Sequence, residues 1–546
     1  MENQRLFLAI ALSVLVIAVS QVLFPPPKPP PRPSSSATVA ATSDPAAPAP
    51  APVATDSTTL TSSPSGEQIE VRTGLYRARF DTVGAVQTSM ELLRYPESQR
   101  PDSAPVDVAQ RHSPGRGLFP LDLLSGSQRV STARVVFEPD RRILDIEPGG
   151  SGELVFRGEY PGWAKIEKTY RFHDGRYDID VETRVTPYPG SRVDRAILSL
   201  SDSREVPESS HQDQLRARIS WGLDRVHMDS VSVPDLRSEV RKGKHTPRVY
   251  DEAHGKGAIR WGGFDERYFL LAILPDLASG ANAQLTALPD ARTVQLDVVF
   301  PVPANAAETG GALVKARAFG GPKDLVVLRA TENTLDTVLD YGRFALLSRA
   351  FVSILRFFHQ FTGNWGFAII ILTLAVRLLL LPLNVSSFRS MKKMQALQPE
   401  MTQLREQHKD DPMKMQQEMG RLYKRYNVNP LGGCLPMLLQ FPVFLGLYYA
   451  LAQAIELRHA HFAFWIHDLS ERDPYFVTPI IMGVTMFVQQ LLTPMAGDPA
   501  QQKMMRLMPV IFTVSFLNFP SGLVLYWLFS NLVGIASQWY IKRSPA

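Results

Sequence analysis

Six long apolar runs constrain the fold of this chain more than any other feature. One of them, Leu6–Phe24, lies near the N-terminus. The other five follow residue 350, at Trp365–Leu383, Leu431–Ile455, Tyr475–Met495, Leu507–Phe519 and Gly522–Ile541. About 20 apolar residues in helical form cross the hydrocarbon core of a bilayer. The mean hydropathy of −0.07 therefore averages a membrane part with a polar middle, and we predict a multi-domain membrane protein with six transmembrane helices.

The N-terminal run has two interpretations, an uncleaved anchor or a cleaved signal peptide. The residues that follow it, PPPKPPPRP, contain no small-x-small cleavage motif. We therefore expect residues 1–24 to form a transmembrane signal anchor. Residues 25–64 hold 12 prolines among Ser, Ala and Thr. Such a segment cannot bury enough apolar surface to fold, so we expect an extended linker.

Residues 65–330 alternate apolar and polar side chains, which indicates strands with one buried face. In GLYRARF, Tyr76, Ala78 and Phe80 alternate with arginines. KIEKTYRFHDGRYDIDVETRV reads as two such strands around an HDG turn, and RYFLLAILP and VQLDVVFPV are typical of buried strands. Many strands and few helical patterns favour a large antiparallel β-sandwich.

A helical period replaces this alternation near Tyr341. Five apolar residues share one helical stripe, Phe344, Leu347, Phe351, Leu355 and Phe358. The helix could belong to the core of the sandwich or lie in the membrane interface. Its position directly before an apolar run favours the second interpretation, so residues 331–362 are predicted to be a linker and an interfacial amphipathic helix.

The charges of the loops predict the topology. Residues 384–429 carry nine basic and five acidic residues, whereas residues 456–474 carry two basic and four acidic ones. The positive-inside rule therefore places residues 384–429 and both termini in the cytoplasm, and the domain at 65–330 in the periplasm of an inner membrane. After the anchor, the predicted transmembrane helices are residues 363–383, 430–455, 475–495, 504–519 and 522–541.

The fourth of these five apolar runs is short. Leu507–Phe519 covers about 20 Å as a helix, less than the roughly 30 Å of a bilayer core. Taken alone it could be re-entrant, and it can cross only where the bilayer is thinned.

Arg377 is the only Asp, Glu, Lys or Arg inside the six runs. A lone arginine in lipid is costly, and it can be relieved by snorkelling to the cytoplasmic headgroups or by a water-filled groove. Side chains lean toward the helix N-terminus, which in this span points away from the cytoplasm. We therefore favour a groove open to the cytoplasm, lined by Arg377, Thr373 and Gln440. Seven further polar residues could line it or could be ordinary interhelix hydrogen bonders, namely Thr485, Gln489, Gln490, Thr513, Asn518, Ser530 and Asn531.

Residues 384–429 are predicted to form a helical hairpin that turns at Asp410–Pro412. It is rich in methionine, at Met391, Met394, Met401, Met413, Met415 and Met419. Flexible thioethers suit varied apolar partners, but the same methionines could simply pack the two helices together.

Several other functions find little support. The chain contains no GxxxxGK[ST], HExxH or GxSxG motif. The segment Ser209–Asp213 places Ser, His and Asp side by side, but a catalytic triad is assembled by the fold rather than by local order. His459, His461 and His467 could hold a metal, although a solvated interfacial loop anchored by Trp465 is favoured. The net charge of +5 is weak for a nucleic-acid binder, and the single cysteine, Cys434, excludes an intrachain disulfide.

The chain resembles the YidC membrane-protein insertases in its whole layout, and most densely from about residue 340 to the C-terminus. The resemblance lies in VNPLGGCLPMLLQFPVFLGLYYAL, FAFWIHDLSERDPY, PIIMGVTMF and MPVIFTVSFLNFPSGLVLYW, together with an arginine in the first span of the five. It implies an inner-membrane insertase and chaperone that needs no cofactor and is not an enzyme. The implied partners are nascent membrane proteins, the lipid bilayer and components of the Sec translocon. The ribosome and the signal recognition particle pathway are further candidate partners, although the tail here is only KRSPA, and no other nucleic acid is implied.

The resemblance also implies roles for residues. Arg377 in a hydrophilic groove would attract acidic residues of a substrate's outgoing tail, and the hairpin methionines would capture substrate. An apolar slide for the substrate would use Phe441, Pro442, Phe444, Phe516, Tyr526 and Trp527.

Two rival functions remain on the sequence alone. A channel or transporter would use Arg377 as an anion site, but a single intramembrane charge and the lack of an evident inverted repeat weigh against it. A periplasmic carbohydrate enzyme would need a pair of carboxylates in a cleft, and it would leave the five-run core unexplained.

Overall fold

The computed structural model describes residues 66–543, except 205–214, 224, 245, 291, 332–333, 410, 427, 429–434 and 494–498. The predicted anchor at 1–24, the linker at 25–64, the segment Ser209–Asp213 and Cys434 lie outside the described residues.

Strands occupy most of the described chain between residues 68 and 322. They are β1 (Gln68–Arg72), β2 (Tyr76–Asp81), β3 (Val86–Pro96), β4 (Pro105–Asp107), β5 (Leu121–Ser125), β6 (Gln128–Ser131), β7 (Glu138–Pro139), β8 (Ile143–Asp145), β9 (Ser151–Tyr160), β10 (Ala164–His173), β11 (Asp178–Pro187), β12 (Arg195–Asp202), β13 (Arg216–Trp221), β14 (His227–Ser232), β15 (Arg248–Tyr250), β16 (Ile259–Asp265), β17 (Phe269–Pro275), β18 (Asn282–Ala287), β19 (Val294–Pro301) and β20 (Ala312–Pro322).

The strands form three sheets. A nine-stranded sheet has the order β14-β13-β16-β17-β20-β11-β10-β9-β7, a six-stranded sheet β15-β18-β19-β12-β5-β6, and a five-stranded sheet β4-β3-β2-β1-β8. Both smaller sheets pack against the large one: Phe80 of β2 lies 4.6 Å from Tyr170 of β10, ring centre to ring centre, and Gly262 of β16 lies against Leu296 of β19. The predicted β-rich domain is confirmed. It is not wholly antiparallel, because β1 pairs with β8 in parallel.

The predicted hairpin is strands β10 and β11, which pair antiparallel from Ala164 opposite Pro187 to Arg171 opposite Asp180. Its apolar side chains are buried as the alternation predicts, with Tyr170 and Phe172 fully so. Lys168 departs from the pattern, since it occupies the buried face between Ile166 and Tyr170. Its Nζ donates to the carbonyl oxygens of Ala85, at 3.0 Å, and Phe119, at 2.5 Å. A lysine on an apolar face thus serves internal hydrogen bonding.

Helices make up most of the rest. They are α1 (Val108–His112), α2 (Val233–Arg241), α3 (Leu325–Ala330), α4 (Ala345–Thr362), α5 (Trp365–Ala396), α6 (Gln398–Gln407), α7 (Pro412–Arg425), α8 (Leu435–Gln453), α9 (Val477–Leu492), α10 (Pro499–Phe516) and α11 (Ser521–Arg543).

Helix α5 is longer than predicted. It continues past Leu383 to Ala396, because Pro382 is accommodated inside it and the basic residues after it also favour a helix. Within the described residues it is the one helix that is long and apolar enough to cross a membrane on its own, and Val477–Leu492 and Met505–Phe516 are shorter apolar helices. The count of six spans therefore stays a prediction.

The amphipathic helix α4 links the β-rich domain to the C-terminal helices. Phe351 and Leu355 of the predicted stripe are buried. On another face, the Nε of Arg356 donates to Glu456 at 2.7 Å, and its terminal nitrogen reaches Asp324, the N-cap of α3, at 3.1 Å. One arginine thus joins α4, the β-rich domain and the residues after α8.

We call residues 456–474 the outer loop, after the periplasmic side that the loop charges predict for it. Asn364, the N-cap of α5, donates to the carbonyl oxygens of His461 and Phe462 in this loop. Ser521, the first residue of α11, donates its Oγ hydrogen to the carbonyl oxygen of Glu471. The first turns of α5 and α11 are therefore fixed to the same loop.

Candidate functional site

Arg377 is bonded to a neighbouring helix. Its Nε donates to the Oγ of Ser530 in α11 at 2.7 Å, and a terminal nitrogen of the guanidinium reaches the same oxygen. Its side chain is half-buried, and no carboxylate in the described part of the chain lies within ion-pairing distance. The arginine thus has a neutral partner and keeps donors free for another group.

The depth of this contact follows from the helix geometry. Arg377 lies twelve residues after Trp365 and Ser530 nine after Ser521, about 18 Å and 14 Å along their helices. Both helices start at the outer loop, and Ser530 lies closer to that loop than Arg377 does. The guanidinium therefore reaches back toward the start of α5, which is the direction in which helix side chains lean. The basic group is therefore held deep between helices.

Gln440 contacts the same face of α11. Its Nε2 donates to the hydroxyl of Tyr526 at 2.6 Å, and Tyr526 lies one turn before Ser530. We call Arg377, Gln440, Tyr526 and Ser530 the arginine cluster. It brings together polar groups from α5, α8 and α11. The sequence predicted Arg377 and Gln440 for one groove and offered Ser530 as a further candidate.

Thr373, the third predicted groove residue, is fully buried. Its Oγ1 donates to the carbonyl oxygen of Ile369 in its own helix at 2.7 Å. Threonines commonly satisfy their hydroxyl in this way within a helix. Thr373 is therefore enclosed by protein, and its hydroxyl donor is already used.

Other polar residues of the runs make contacts within or between helices. Asn531 donates to the carbonyl oxygen of Met482 and to Thr485, and Gln490 donates to the carbonyl oxygen of Met505. Thr513 bonds within its own helix, to Pro509. Asn531 and Gln490 are therefore interhelix hydrogen bonders, which is one of the two roles considered for them.

Three of the predicted slide residues meet around one ring. Trp527 lies 4.9 Å from Phe444 of α8 and 5.2 Å from Phe516 of α10, between ring centres. Phe512 joins the same group at 5.8 Å from Trp527, and it is not among the predicted slide residues. The sequence does place Phe512 one turn before Phe516, on the same helix face, and this spacing is the signal that identifies it.

The accessible part of the predicted slide is narrower. Phe441 exposes 59% of its surface, whereas Phe516 and Tyr526 are buried. Pro442 lies inside α8. Phe441 is therefore the most exposed side chain of this set, since Pro442, Phe444 and Trp527 are only partly exposed.

The predicted methionines divide into two groups. Met401 is buried with Leu397, Leu422 and Val428, and Met394 and Met419 pack against that small core. Met413 is exposed, whereas Met391 and Met415 are partly exposed. Both predicted uses of methionine thus have residues that fit them.

The outer loop is ordered by an aspartate. Asp473 is fully buried and accepts hydrogen bonds from Trp465 Nε1 at 3.2 Å and from the Thr478 hydroxyl at 2.6 Å. His461 and His467 lie beside each other, with their Nδ1 atoms 3.2 Å apart. Among the described residues no group of three or more His, Cys, Asp or Glu could hold a metal ion.

Comparison with known proteins gives the family. The family model described as YidC periplasmic domain matches residues 68–354, and that described as 60Kd inner membrane protein matches residues 357–546. The chain is 39% identical over 474 residues to the membrane protein insertase YidC of Geobacter sulfurreducens, covering 86% of this chain and 85% of the relative. It is 40% identical to that of Syntrophus aciditrophicus, covering 87% and 85%.

The match extends over nearly the whole chain in a third relative. The membrane protein insertase YidC of Geotalea uraniireducens is 36% identical over 543 residues, covering 99% of each chain. The two family models meet between residues 354 and 357, inside α4. This chain belongs to the YidC family of membrane protein insertases, and it is an inner-membrane protein with a periplasmic β-rich domain.

Proposed function

We propose that the chain inserts membrane proteins through a hydrophilic groove around the arginine cluster. The observation that carries this proposal is the pairing of Arg377 with a neutral hydroxyl rather than with a carboxylate. A guanidinium has five donors and forms its strongest hydrogen bonds with carboxylates. Arg377 is therefore prepared to attract an acidic residue of a substrate's outgoing tail.

The physical task is to lower the cost of moving a polar tail across an apolar slab. Groups that bond to the tail partway across replace some of the water it loses. Burial of the substrate's apolar span in lipid then favours the inserted state, and the membrane potential helps an acidic tail outward. No nucleotide hydrolysis is required in this scheme.

The apolar span of the substrate would leave along Phe441. This ring is exposed on α8, one residue after Gln440 of the arginine cluster. Phe444 follows three residues later in α8, and its ring packs on Trp527, which also contacts Phe516. A substrate could thus keep its polar tail at the cluster while its apolar part contacts Phe441 and lipid.

The helical hairpin of α6 and α7 would capture substrate in the cytoplasm. Met413 at the start of α7 is its most exposed large apolar side chain. The buried Met401 of α6 lies in one small core with Leu422 of α7 and so holds the two helices together. Capture by Met413 and packing by Met401 are thus separate roles.

The proposed topology has six spans with both termini in the cytoplasm. The N-terminal run would supply the first span, and α5, α8, α9, α10 and α11 the other five. Components of the Sec translocon are proposed partners of the periplasmic domain, and the ribosome and the signal recognition particle pathway are proposed partners on the cytoplasmic side.

The decisive experiment uses purified full-length protein in liposomes with two single-span substrates that differ only in an acidic or a neutral outgoing tail. Arg377→Ala is expected to impair the acidic substrate by about tenfold or more, since a charge-assisted hydrogen bond away from water is worth more than 1.4 kcal/mol. The neutral substrate should change little. Arg389→Ala, at an exposed position of the same helix, is the matched control, and equal insertion of both substrates by Arg377→Ala would remove the arginine from the mechanism.

A further inference from the structure

A polar cavity of about 430 Å³ lies where the β-rich domain meets the outer loop. The domain lines it with Arg111, Glu266 and Phe269 among others, and the loop lines it with Arg458, His459 and Asp468 among others. Its volume is within the roughly 300–1,000 Å³ range of small-molecule sites. It is separate from the arginine cluster, so the proposed insertion mechanism does not use it.

Most charges around this cavity are already paired. Glu266 contacts Arg111 and Arg204, both at 3.0 Å. Glu97 also pairs with Arg111, and Arg267 reaches Glu471 at 3.5 Å. These contacts account for three of the four arginines and three of the four carboxylates that line the cavity.

Arg458 is the remaining cation. A terminal nitrogen of its guanidinium donates to the backbone carbonyl of Glu97 at 3.1 Å, and no described carboxylate lies within 4.0 Å. Its guanidinium and that of Arg111 both lie over the ring of Phe269, at 5.5 and 5.6 Å from the ring centre. Burial lowers the pKa of Arg458 and the positive charge of Arg111 lowers it further, whereas the negative charges of Glu97 and Asp468 act in the opposite direction without cancelling the effect. Arg111 is already paired with Glu97 and Glu266, so an anion entering the cavity would be drawn to Arg458.

Asp468 is the remaining carboxylate. Its Oδ1 accepts hydrogen bonds from the backbone N–H and the hydroxyl of Ser470, at 2.8 and 2.6 Å. No basic side chain in the described ranges lies within ion-pairing distance of it. The cavity thus presents one unpaired positive group and one unpaired negative group to whatever enters it.

The position of the cavity indicates where an occupant comes from. The outer loop joins α8 to α9, and it contacts a domain whose family is periplasmic. If α8 and α9 span the membrane as proposed above, Asp468 lies near the headgroups of the outer leaflet. A group that carries one positive and one negative charge would match the cavity. At a membrane surface, zwitterionic lipid headgroups are the abundant groups of this kind.

We propose that this cavity binds a phosphoethanolamine group, with its phosphate at Arg458 and its ammonium at Asp468. The proposed source is the headgroup of phosphatidylethanolamine in the outer leaflet. A bound headgroup would fix the angle between the β-rich domain and the helices, since both line the cavity. Only this choice of source rests on the proposed spans, because the charge pattern of the cavity does not depend on them.

The test uses delipidated full-length protein in detergent and measures thermal unfolding with phosphoethanolamine, ethanolamine or inorganic phosphate. Phosphoethanolamine is expected to raise the Tm more than either fragment. Arg458→Gln should weaken its binding by about tenfold or more, through loss of a charge-assisted contact. Asp468→Asn should bring it down to the affinity for phosphate. Arg142→Gln, at an exposed surface position, is the control and should match the parent protein.

Four results would overturn the proposal or part of it. No Tm shift with any probe removes the site, and equal shifts with phosphate and phosphoethanolamine remove the ammonium position. Unchanged binding in both variants places the ligand elsewhere, with Arg458→Met, which also removes the charge, serving as the variant if Arg458→Gln fails to fold. In nanodiscs, native mass spectrometry should retain phosphatidylethanolamine over phosphatidylglycerol, and lack of this preference would assign the site to a soluble phosphomonoester.

Discussion

The Nε of Arg377 lies 2.7 Å from the Oγ of Ser530, a residue 153 positions later in the chain. The contact places the one charge of the apolar runs against a hydroxyl on the facing helix. Ser530 thus fixes the direction in which the guanidinium points, and we treat it as a positioning residue for the proposed groove.

Ser530→Ala should lower insertion of a substrate with an acidic tail. Without the hydroxyl, Arg377 is free to adopt other rotamers, and a lost hydrogen bond to a charged group costs about 1.5–3 kcal/mol. We expect a decrease of about tenfold for the acidic tail and a smaller one for a neutral tail, measured in liposomes. Ser530→Thr should restore most activity, and Ser537→Ala, whose hydroxyl bonds within its own helix, should behave as the parent. A Ser530→Ala protein with full preference for acidic tails would exclude the positioning role.

The sequence predicted that a polar site exists around Arg377, but it did not predict which side chains contact the arginine. The isolation of Arg377 among apolar residues is visible in the chain itself, and so is the chemistry it requires. Which hydroxyl it contacts depends on how α5 and α11 pack, and Ser530 was one of seven polar candidates. Thr373 shares the helical face of Arg377, but its complete burial depends on tertiary packing that periodicity does not reveal.

In the β-rich domain, too, local pattern predicted the elements but not the contacts between residues distant in the chain. Alternation identified the strands of the hairpin, because one face of each is buried. It could not identify Lys168 as a buried residue, since a lysine in an alternating strand normally faces water. The two carbonyl groups that hold its ammonium come from residues 83 and 49 positions away, so no local pattern signals the contact.

Arg356 and Glu456 should be energetically coupled. Arg356 also contacts Asp324, and the side chains of all three are largely shielded from water. In a double-mutant cycle of Arg356→Gln and Glu456→Gln, we expect a coupling of about 1–2 kcal/mol in the free energy of unfolding, above the value for exposed pairs. Urea unfolding of the full chain in detergent would measure it. The exposed pair Arg157 and Glu167 is the matched control, and additive single effects at Arg356 and Glu456 would show that the bridge contributes nothing.

Met413 and Met401 should differ in substrate contact. A photocrosslinking residue at position 413 is expected to capture a nascent substrate, because Met413 is exposed at the start of α7. The same residue at 401 should yield little product, since Met401 lies in the core of the hairpin. Met401→Gln should instead loosen the hairpin and increase its proteolysis. Strong crosslinking at 401 with none at 413 would reverse the roles we assign.

Helices α9 and α10 should tolerate no side chain at Gly483. A Cβ at this position would overlap the Oγ1 of Thr513, which is held by its bond to the Pro509 carbonyl. We expect Gly483→Val to lower the free energy of unfolding by about 1–3 kcal/mol, as overpacking generally does. Thr513→Ala should recover part of that loss by making space. Gly420→Ala, where a Cβ would meet nothing within 4 Å, is the control, and a normal Tm for Gly483→Val would show that the helices separate readily.

Lys168 should make the stability of the protein depend on pH above neutrality. Burial lowers the pKa of its ammonium to about 7 from an ordinary value of 10.5. Between these values the unfolded chain binds more protons than the folded one, so the free energy of unfolding rises with pH from about 7 and levels off near 10.5. At 1.36 kcal/mol per pKa unit the gain approaches about 5 kcal/mol. Thermal unfolding of the full chain at pH 7 and pH 9.5 would measure most of it. Lys168→Met should remove this rise, whereas Lys165→Met, at an exposed position of the same strand, should retain it. An unchanged pH profile in Lys168→Met would mean that the folded protein keeps this lysine charged throughout, held by the carbonyl groups of Ala85 and Phe119 alone.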